Sequence, residues 1–152
     1  MSACCPVMHW YNFIFLGVSL FLAIAGSTIL NMWYDRDIDA VMNRTHHRPI
    51  ADGRVAPAEA LRLGLVFSVL GVGMATAMSP LYGLVVFAGL FFDVVIYTLW
   101  LKRRTCWSII WGGIAGGMPI LAGRVFGTGS IDGIGILLTL AVLFWIPTHI
   151  LT

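Results

Sequence analysis

No charged residue occurs between Met1 and Tyr34, and between Leu63 and Leu101 the only one is Asp93. Uncharged runs of this length leave few folds open. A bilayer core about 30 Å thick is crossed by about 20 apolar residues of helix. Soluble domains average about a quarter charged residues, whereas this chain is 11% charged and 59% hydrophobic, with a mean hydropathy of +0.91. The pattern indicates an all-α, polytopic transmembrane helical bundle, with residues 1–152 as a single membrane-embedded domain. A net charge of +2 and the lack of any long like-charge run give no sign of nucleic-acid binding. Cys4, Cys5 and the distant Cys106 have neither a disulfide nor a metal-ligand spacing. The N-terminus has no basic region of the kind that opens a cleaved signal peptide.

Five spans are expected. The first covers residues 10–30, with Trp10 and Tyr11 placed as interfacial anchors. The apolar run after Arg62 is too long for one crossing, and Ser79-Pro80 divides it into spans at 58–78 and 81–101. A fourth span is expected at 107–123, a turn from Gly127 to Gly133, and a fifth from residue 134 to the chain end. Eight of the nine Lys and Arg residues fall within 31–62 and 102–104, which flank alternate spans and therefore share one membrane face. The excess of positive charge makes that face cytoplasmic, at the plasma membrane in a prokaryote.

Three of the seven acidic residues, Asp35, Asp37 and Asp39, arrive where the first helix leaves the bilayer. Asn31, Asp35 and Asp39 recur every four residues and form one slowly drifting helical stripe, with Asp37 roughly opposite. Two carboxylates and an amide offer oxygen ligands to a hard cation. Mg²⁺ typically binds through one or two carboxylates together with substrate phosphates. The same residues would also serve as a solvated helix end, ion-paired to Arg36 or Arg44, and the spacing leaves both readings open. A calcium-binding EF-hand loop is excluded, because its required Gly and Glu positions hold Ala40 and His46. Arg44 and Arg48, and Lys102 with Arg103 in the second basic loop, suit diphosphate recognition, although basic residues there also set topology.

Asp93 is ionisable within a span, which marks it as a functional candidate unless it faces a cavity and pairs with Lys102 or another polar group. His46, His47 and His149 are weaker signals. The glycines between Gly112 and Gly117 overlap as GxxxG patterns, which let membrane helices approach closely.

Together these motifs resemble a known family. Asn31-x3-Asp35-x3-Asp39 followed by Arg44-Thr45-x-x-Arg48-Pro49 looks like the first aspartate-rich motif of UbiA-type intramembrane prenyltransferases. The wording of that motif is similar to the protoheme IX farnesyltransferase (haem O synthase) branch. So are Tyr97-Thr98-x-x-Leu101-Lys102-Arg103-Arg104-Thr105, the glycine pairs ending at Pro119, and Ile146-Pro147-Thr148-His149. The resemblance runs over essentially the whole chain.

It implies Mg²⁺-dependent transfer of a farnesyl group from farnesyl diphosphate to a vinyl group of haem b within a lipid-embedded cavity. Asn31, Asp35 and Asp39 would form the metal and catalytic side. Arg48 and Lys102 would hold the diphosphate, with Arg44 and Arg103 as second choices, and Asp93, Tyr97 and His149 would lie in the pocket. The chain departs from the family pattern in three ways. Ser108 stands where Asn is usual, and Asp93 where an aromatic or apolar residue is common. The five spans correspond to the central part of about nine, without the second acidic motif, so a domain truncated at both ends is expected, with a partner or further segment supplying that motif. The rival readings are a UbiA-type enzyme acting on a quinone precursor or lipid, and a non-catalytic membrane remnant or subunit.

Overall fold

A computed structural model describes residues 10–105 and 108–151, except for the side chains of 147, 149, 150 and 151. Helix α1 (Trp10–Tyr34) is followed by the short α2 (Arg36–Val41), then α3 (Pro57–Met78), α4 (Pro80–Phe91), a π-helical segment (Phe92–Leu101), α5 (Ser108–Thr128) and α6 (Gly133–Leu151). The chain is an all-helical bundle. Among the described residues, four helical stretches are long and apolar enough to cross a membrane: Trp10–Tyr34, Pro57–Met78, Pro80–Leu101 and Ser108–Thr128. A shorter apolar stretch, Gly133–Ile146, matches the expected fifth span. Pro80 opens α4 at its first helical position, and Ser79 before it is extended (φ −159°, ψ 130°), so the proline divides the long apolar run where the sequence indicates. The expected fourth span, α5, continues past its expected end at residue 123 and carries Arg124 within its last two turns. The turn is therefore shorter than Gly127–Gly133. Gly129 adopts φ +72°, a conformation glycine takes without steric cost, and Asp132 binds the backbone N–H of Gly135 at 2.9 Å and Arg124 Nη2 at 2.6 Å. Residue 107, the expected start of the fourth span, lies outside the described residues.

The most extensive interface joins α1 to α3. Ser19, Ala23 and Gly26 of α1 meet Gly64, Ser68 and Gly71 of α3, and all are buried. A Cβ on Gly71 would come within 2.5 Å of the Ala23 backbone nitrogen, so the helices touch backbone to backbone. The glycines of α5 also pack helices, as their spacing indicates: Gly113 and Gly117 face Leu143 and Thr139 of α6, and Gly112 faces the Tyr97 ring. The apolar core, Ala23, Ala75, Tyr82, Val85, Val86, Ala122 and Val125, lies toward the ends of the bundle remote from the aspartates. Tyr82 is fully buried and shares a 2.7 Å hydrogen bond with Ser19. Large apolar side chains on the outer faces, such as Phe21, Val69, Leu84 and Phe144, are exposed, as lipid-facing residues of a membrane bundle must be.

Candidate active site

The acidic stripe survives a break in the helix. Asp35 has left α-helical geometry (φ −89°, ψ 3°), but the bonds Asp35 N–H to Asn31 O (3.0 Å) and Asp39 N–H to Asp35 O (2.8 Å) carry the helical register across it. Asn31, Asp35 and Asp39 therefore stay on one side. Asp35 and Asp39 are 4% and 5% exposed, which a merely solvated helix end would not produce. Asp37 faces away from the stripe, and its side chain is 61% exposed.

Each carboxylate is met by a cation from elsewhere in the chain. Lys102 Nζ donates to Asp35 Oδ2 and, at 2.8 Å, to Asn31 Oδ1. Arg48 Nη1 donates to Asp39 Oδ2 at 2.7 Å. Arg103 grips Asp37 with two bonds, of 2.6 and 3.0 Å, donates to the Tyr34 carbonyl at 2.7 Å, and lies with its guanidinium 4.4 Å from the Tyr34 ring centroid. The Arg103 guanidinium holds the Asp37 carboxyl below its ordinary value. The alternative partners suggested by the sequence do not take part. Arg36 binds the Trp33 carbonyl and lies over that residue's ring, and Arg44 is exposed and outside the cluster.

Local structure explains how Arg48 reaches Asp39. The segment 42–56 folds back through successive turns: His46 N–H to Met42 O, Arg48 N–H to Thr45 O, and Asp52 N–H to Arg48 O, each 3.0 Å. Thr45 is buried and its hydroxyl donates to the Asp39 carbonyl at 3.3 Å. Ile50 anchors the loop, and Arg54 ties it to Asp52 and to the His47 carbonyl. The rings of His46 and His47 touch at the surface, tilted by 42° with 3.7 Å between centroids.

Lys102 reaches the cluster because the end of its helix is wound as a π-helix. Asp93, Tyr97 and Lys102 are spaced by four and then five residues. On an α-helix Asp93 and Lys102 would sit about half a turn apart. The wider turn, seen in the bond from Lys102 N–H to Tyr97 O (2.8 Å) and stapled by the Thr98 hydroxyl to the Asp93 carbonyl (2.8 Å), brings them to one side, facing α1. Segments of this kind recur at functional sites. The Lys102 ammonium lies 5.4 Å from the Tyr97 ring centroid, a cation–π contact.

Below the cluster lies a cavity of about 360 Å³ lined by α1, α4, the π-helical segment and α5, within the range of roughly 300–1,000 Å³ typical of small-molecule sites. Ser27, one turn from Asn31, continues the polar stripe into it, Asp93 faces it from the other side, and Leu20, Ala23 and Met118 make its walls apolar. The sequence reading missed Ser27, Tyr34 and Thr45. The four-residue spacing of Ser27, Asn31 and Asp35 was the available signal for the first. His149 lies in α6, but its side chain is outside the described residues.

The donor set suits a hard divalent cation. Among the described residues no three His, Cys, Asp or Glu side chains converge on one point. Mg²⁺, however, needs only one or two protein carboxylates when phosphates complete its shell. Asp35 Oδ1 is buried and has no hydrogen-bond partner. A buried carboxylate oxygen left unmatched is costly, and such an atom is what a bound cation would satisfy.

The chain is similar to known proteins. It is 46% identical over 143 residues to a protoheme IX farnesyltransferase of Archaeoglobus fulgidus, an alignment covering 92% of this chain and 50% of that protein. It is 44% identical to the protein of the same name from Korarchaeum cryptofilum, over 89% of this chain and 46% of that one. For the Desulforudis audaxviator protein, also so named, the identity is 41%, over 95% of this chain and 46% of that protein. The chain thus spans about half the length of the relatives it matches. No solved structure matches it. The model of the UbiA prenyltransferase family matches residues 5–152, and the chain belongs to that family.

Proposed function

We propose that this chain carries the diphosphate-binding half of a protoheme IX farnesyltransferase, which transfers the farnesyl group of farnesyl diphosphate to a vinyl group of haem b to give haem O. The observation that carries the reading is the buried stripe of Asn31, Asp35 and Asp39, with an unmatched Asp35 oxygen, standing over a largely apolar cavity. The names of the relatives support the choice of donor and acceptor. Asn31, Asp35 and Asp39 would hold Mg²⁺. When bound, that ion neutralises charge developing on the leaving diphosphate.

The chain's own residues prepare the rest. Lys102 and Arg48 hold the carboxylates in place in the free site, and turn to the diphosphate oxygens on binding. Arg103, fixed by Asp37 and Tyr34, stands beside them as a rigid fork. The diphosphate lies at the cytoplasmic surface of the membrane, and the isoprenoid chain runs down past Ser27 into the cavity, where apolar walls exclude water from the reacting carbon.

The test uses the protein expressed from its complete reading frame in membranes supplied with haem b, farnesyl diphosphate and Mg²⁺. Wild type forms haem O, and Asp35→Ala lowers the rate by at least about 10²-fold. Unchanged turnover removes Asp35 from the site. Transfer to a quinone precursor but not to haem b overturns the acceptor assignment while leaving the diphosphate site intact.

A further inference from the structure

The cavity contains one carboxylate that the head-group cluster leaves unused. Asp93 lines the cavity wall and forms no ion pair among the described residues. The nearest cation along its own helix, Lys102, is committed to Asp35 and Asn31. Across the cavity, Ser27 and Thr28 of α1 supply hydroxyls, and the facing positions of α5, Gly112, Ala115 and Gly116, carry no titratable group. The Ser27 hydroxyl donates to the Ile24 carbonyl at 3.0 Å and is also a hydrogen-bonding neighbour of the Asp93 carboxyl. An ionisable side chain in a membrane interior is expensive to keep, and here it stands in an apolar chamber directly beneath a charged site.

Its depth suits a specific task. Along α1, Ser27 lies about 6 Å below Asn31 and about 12 Å below Asp35 by helical rise. A diphosphate held between Asn31 and Asp35 therefore delivers its first isoprenoid carbons to the level of Ser27, and Asp93 lines the same chamber.

We propose that Asp93 is the proton acceptor of the transfer reaction, an assignment that rests on the prenyltransferase reading above. The isoprenyl C–O bond breaks, and its electron pair leaves with the diphosphate. The terminal carbon of the acceptor's vinyl group donates its π pair to the isoprenyl carbon, forming the C–C bond. The adjoining vinyl carbon, left electron-poor, takes a lone pair from water. One O–H bond of that water breaks, and its proton passes to the Asp93 carboxylate. Farnesyl diphosphate, the vinyl acceptor and water thus give the hydroxylated adduct, diphosphate and one proton, with no oxidant or reductant required.

Asp93→Asn, which keeps the size and hydrogen-bonding capacity of the side chain, tests this in the protein expressed from its complete reading frame. The expected result is a fall in kcat of about 10²–10⁴-fold, with KM for farnesyl diphosphate within about twofold of wild type and an unchanged thermal midpoint. Asp93→Glu retains part of the activity, and formate raises the rate of Asp93→Ala. A structural role would move the midpoint and would not respond to formate. Wild-type kcat in Asp93→Asn, a defect confined to KM, or Asp93→Ala turnover indifferent to formate overturns the assignment. A wild-type protein that makes no haem O overturns the underlying reading instead, so the two failures are distinguishable.

Discussion

Replacing Lys102 with methionine measures how far the acidic cluster is a buried electrostatic unit. The substitution keeps most of the aliphatic stem and deletes the ammonium that Asp35 and Asn31 share. What remains is a carboxylate 6% exposed in its side chain. One of its oxygens already lacks a partner, and its next cation, Arg103, is 3.9 Å away and bound to Asp37. Breaking a fully buried ion pair costs about 3–5 kcal/mol, whereas an exposed pair is worth about 0–1 kcal/mol. The lysine is 30% exposed, but the residue left stranded is the buried one. The expected loss is therefore about 2–3 kcal/mol, or roughly 4–12 °C in the unfolding midpoint for a chain of this size. Asp35→Asn alone should cost less, because the partly exposed lysine can turn to water. The double variant should recover at least about 1.5 kcal/mol of the sum of the two losses. Thermal unfolding of the four proteins in detergent measures the cycle. Added Mg²⁺ should restore part of the Lys102→Met loss, since a cation that binds only the folded site stabilises it. A Lys102→Met protein within about 0.5 kcal/mol of wild type refutes the reasoning and reduces the cluster to a solvated surface.

Two further outcomes follow from other contacts. Gly71→Ala places a methyl group within 2.5 Å of the Ala23 backbone and should cost about 1–3 kcal/mol by overpacking. Gly73→Ala meets nothing within 4 Å and should be neutral or stabilising by up to about 1 kcal/mol. Equal unfolding midpoints would show that α1 and α3 do not touch backbone to backbone. The Arg103–Asp37 pair gives a pH signature: because the Asp37 pKa is depressed from 3.8 on folding, its contribution to stability is present above that value and is lost as pH falls through the folded value. The advantage of wild type over Asp37→Asn should shrink below about pH 4, and a difference that stays constant through acid unfolding counts against the pair.

Hydropathy and proline placement made the bundle legible, because crossing a bilayer imposes lengths that sequence shows directly. Charge bias put residues 31–62 and 102–104 on one face, and the acidic stripe and Lys102 do meet across 67 residues of chain. The choice among cations was less legible. Arg36 and Arg44 are nearer to the aspartates in sequence, but Arg48, Lys102 and Arg103 take them. Those pairings depend on a loop folded back by turns and on a π-helical segment, neither of which has a hydrophobic period to read. Gly64, Ser68, Gly71 and Ala75 on α3 recur at helical spacing as a packing face, although the GxxxG patterns of the helices fall on α5.

The π-helical segment connects these observations to the chemistry. An α-helix across the same residues would turn Asp93 and Lys102 to opposite sides and so could serve either the head-group cluster or the cavity. The wider turn lets one helix serve both, with Lys102 against Asp35 at the surface and Asp93 in the chamber below. Thr98 Oγ1, buried and donating to the Asp93 carbonyl, is the side chain that holds that geometry. On the proposed reading, a site that grips a diphosphate in water and reacts its isoprenoid end away from water needs polar groups at two depths on one line. The stripe from Asp39 in α2 to Ser27 in α1 supplies that line, and the π-helical segment supplies its counterpart.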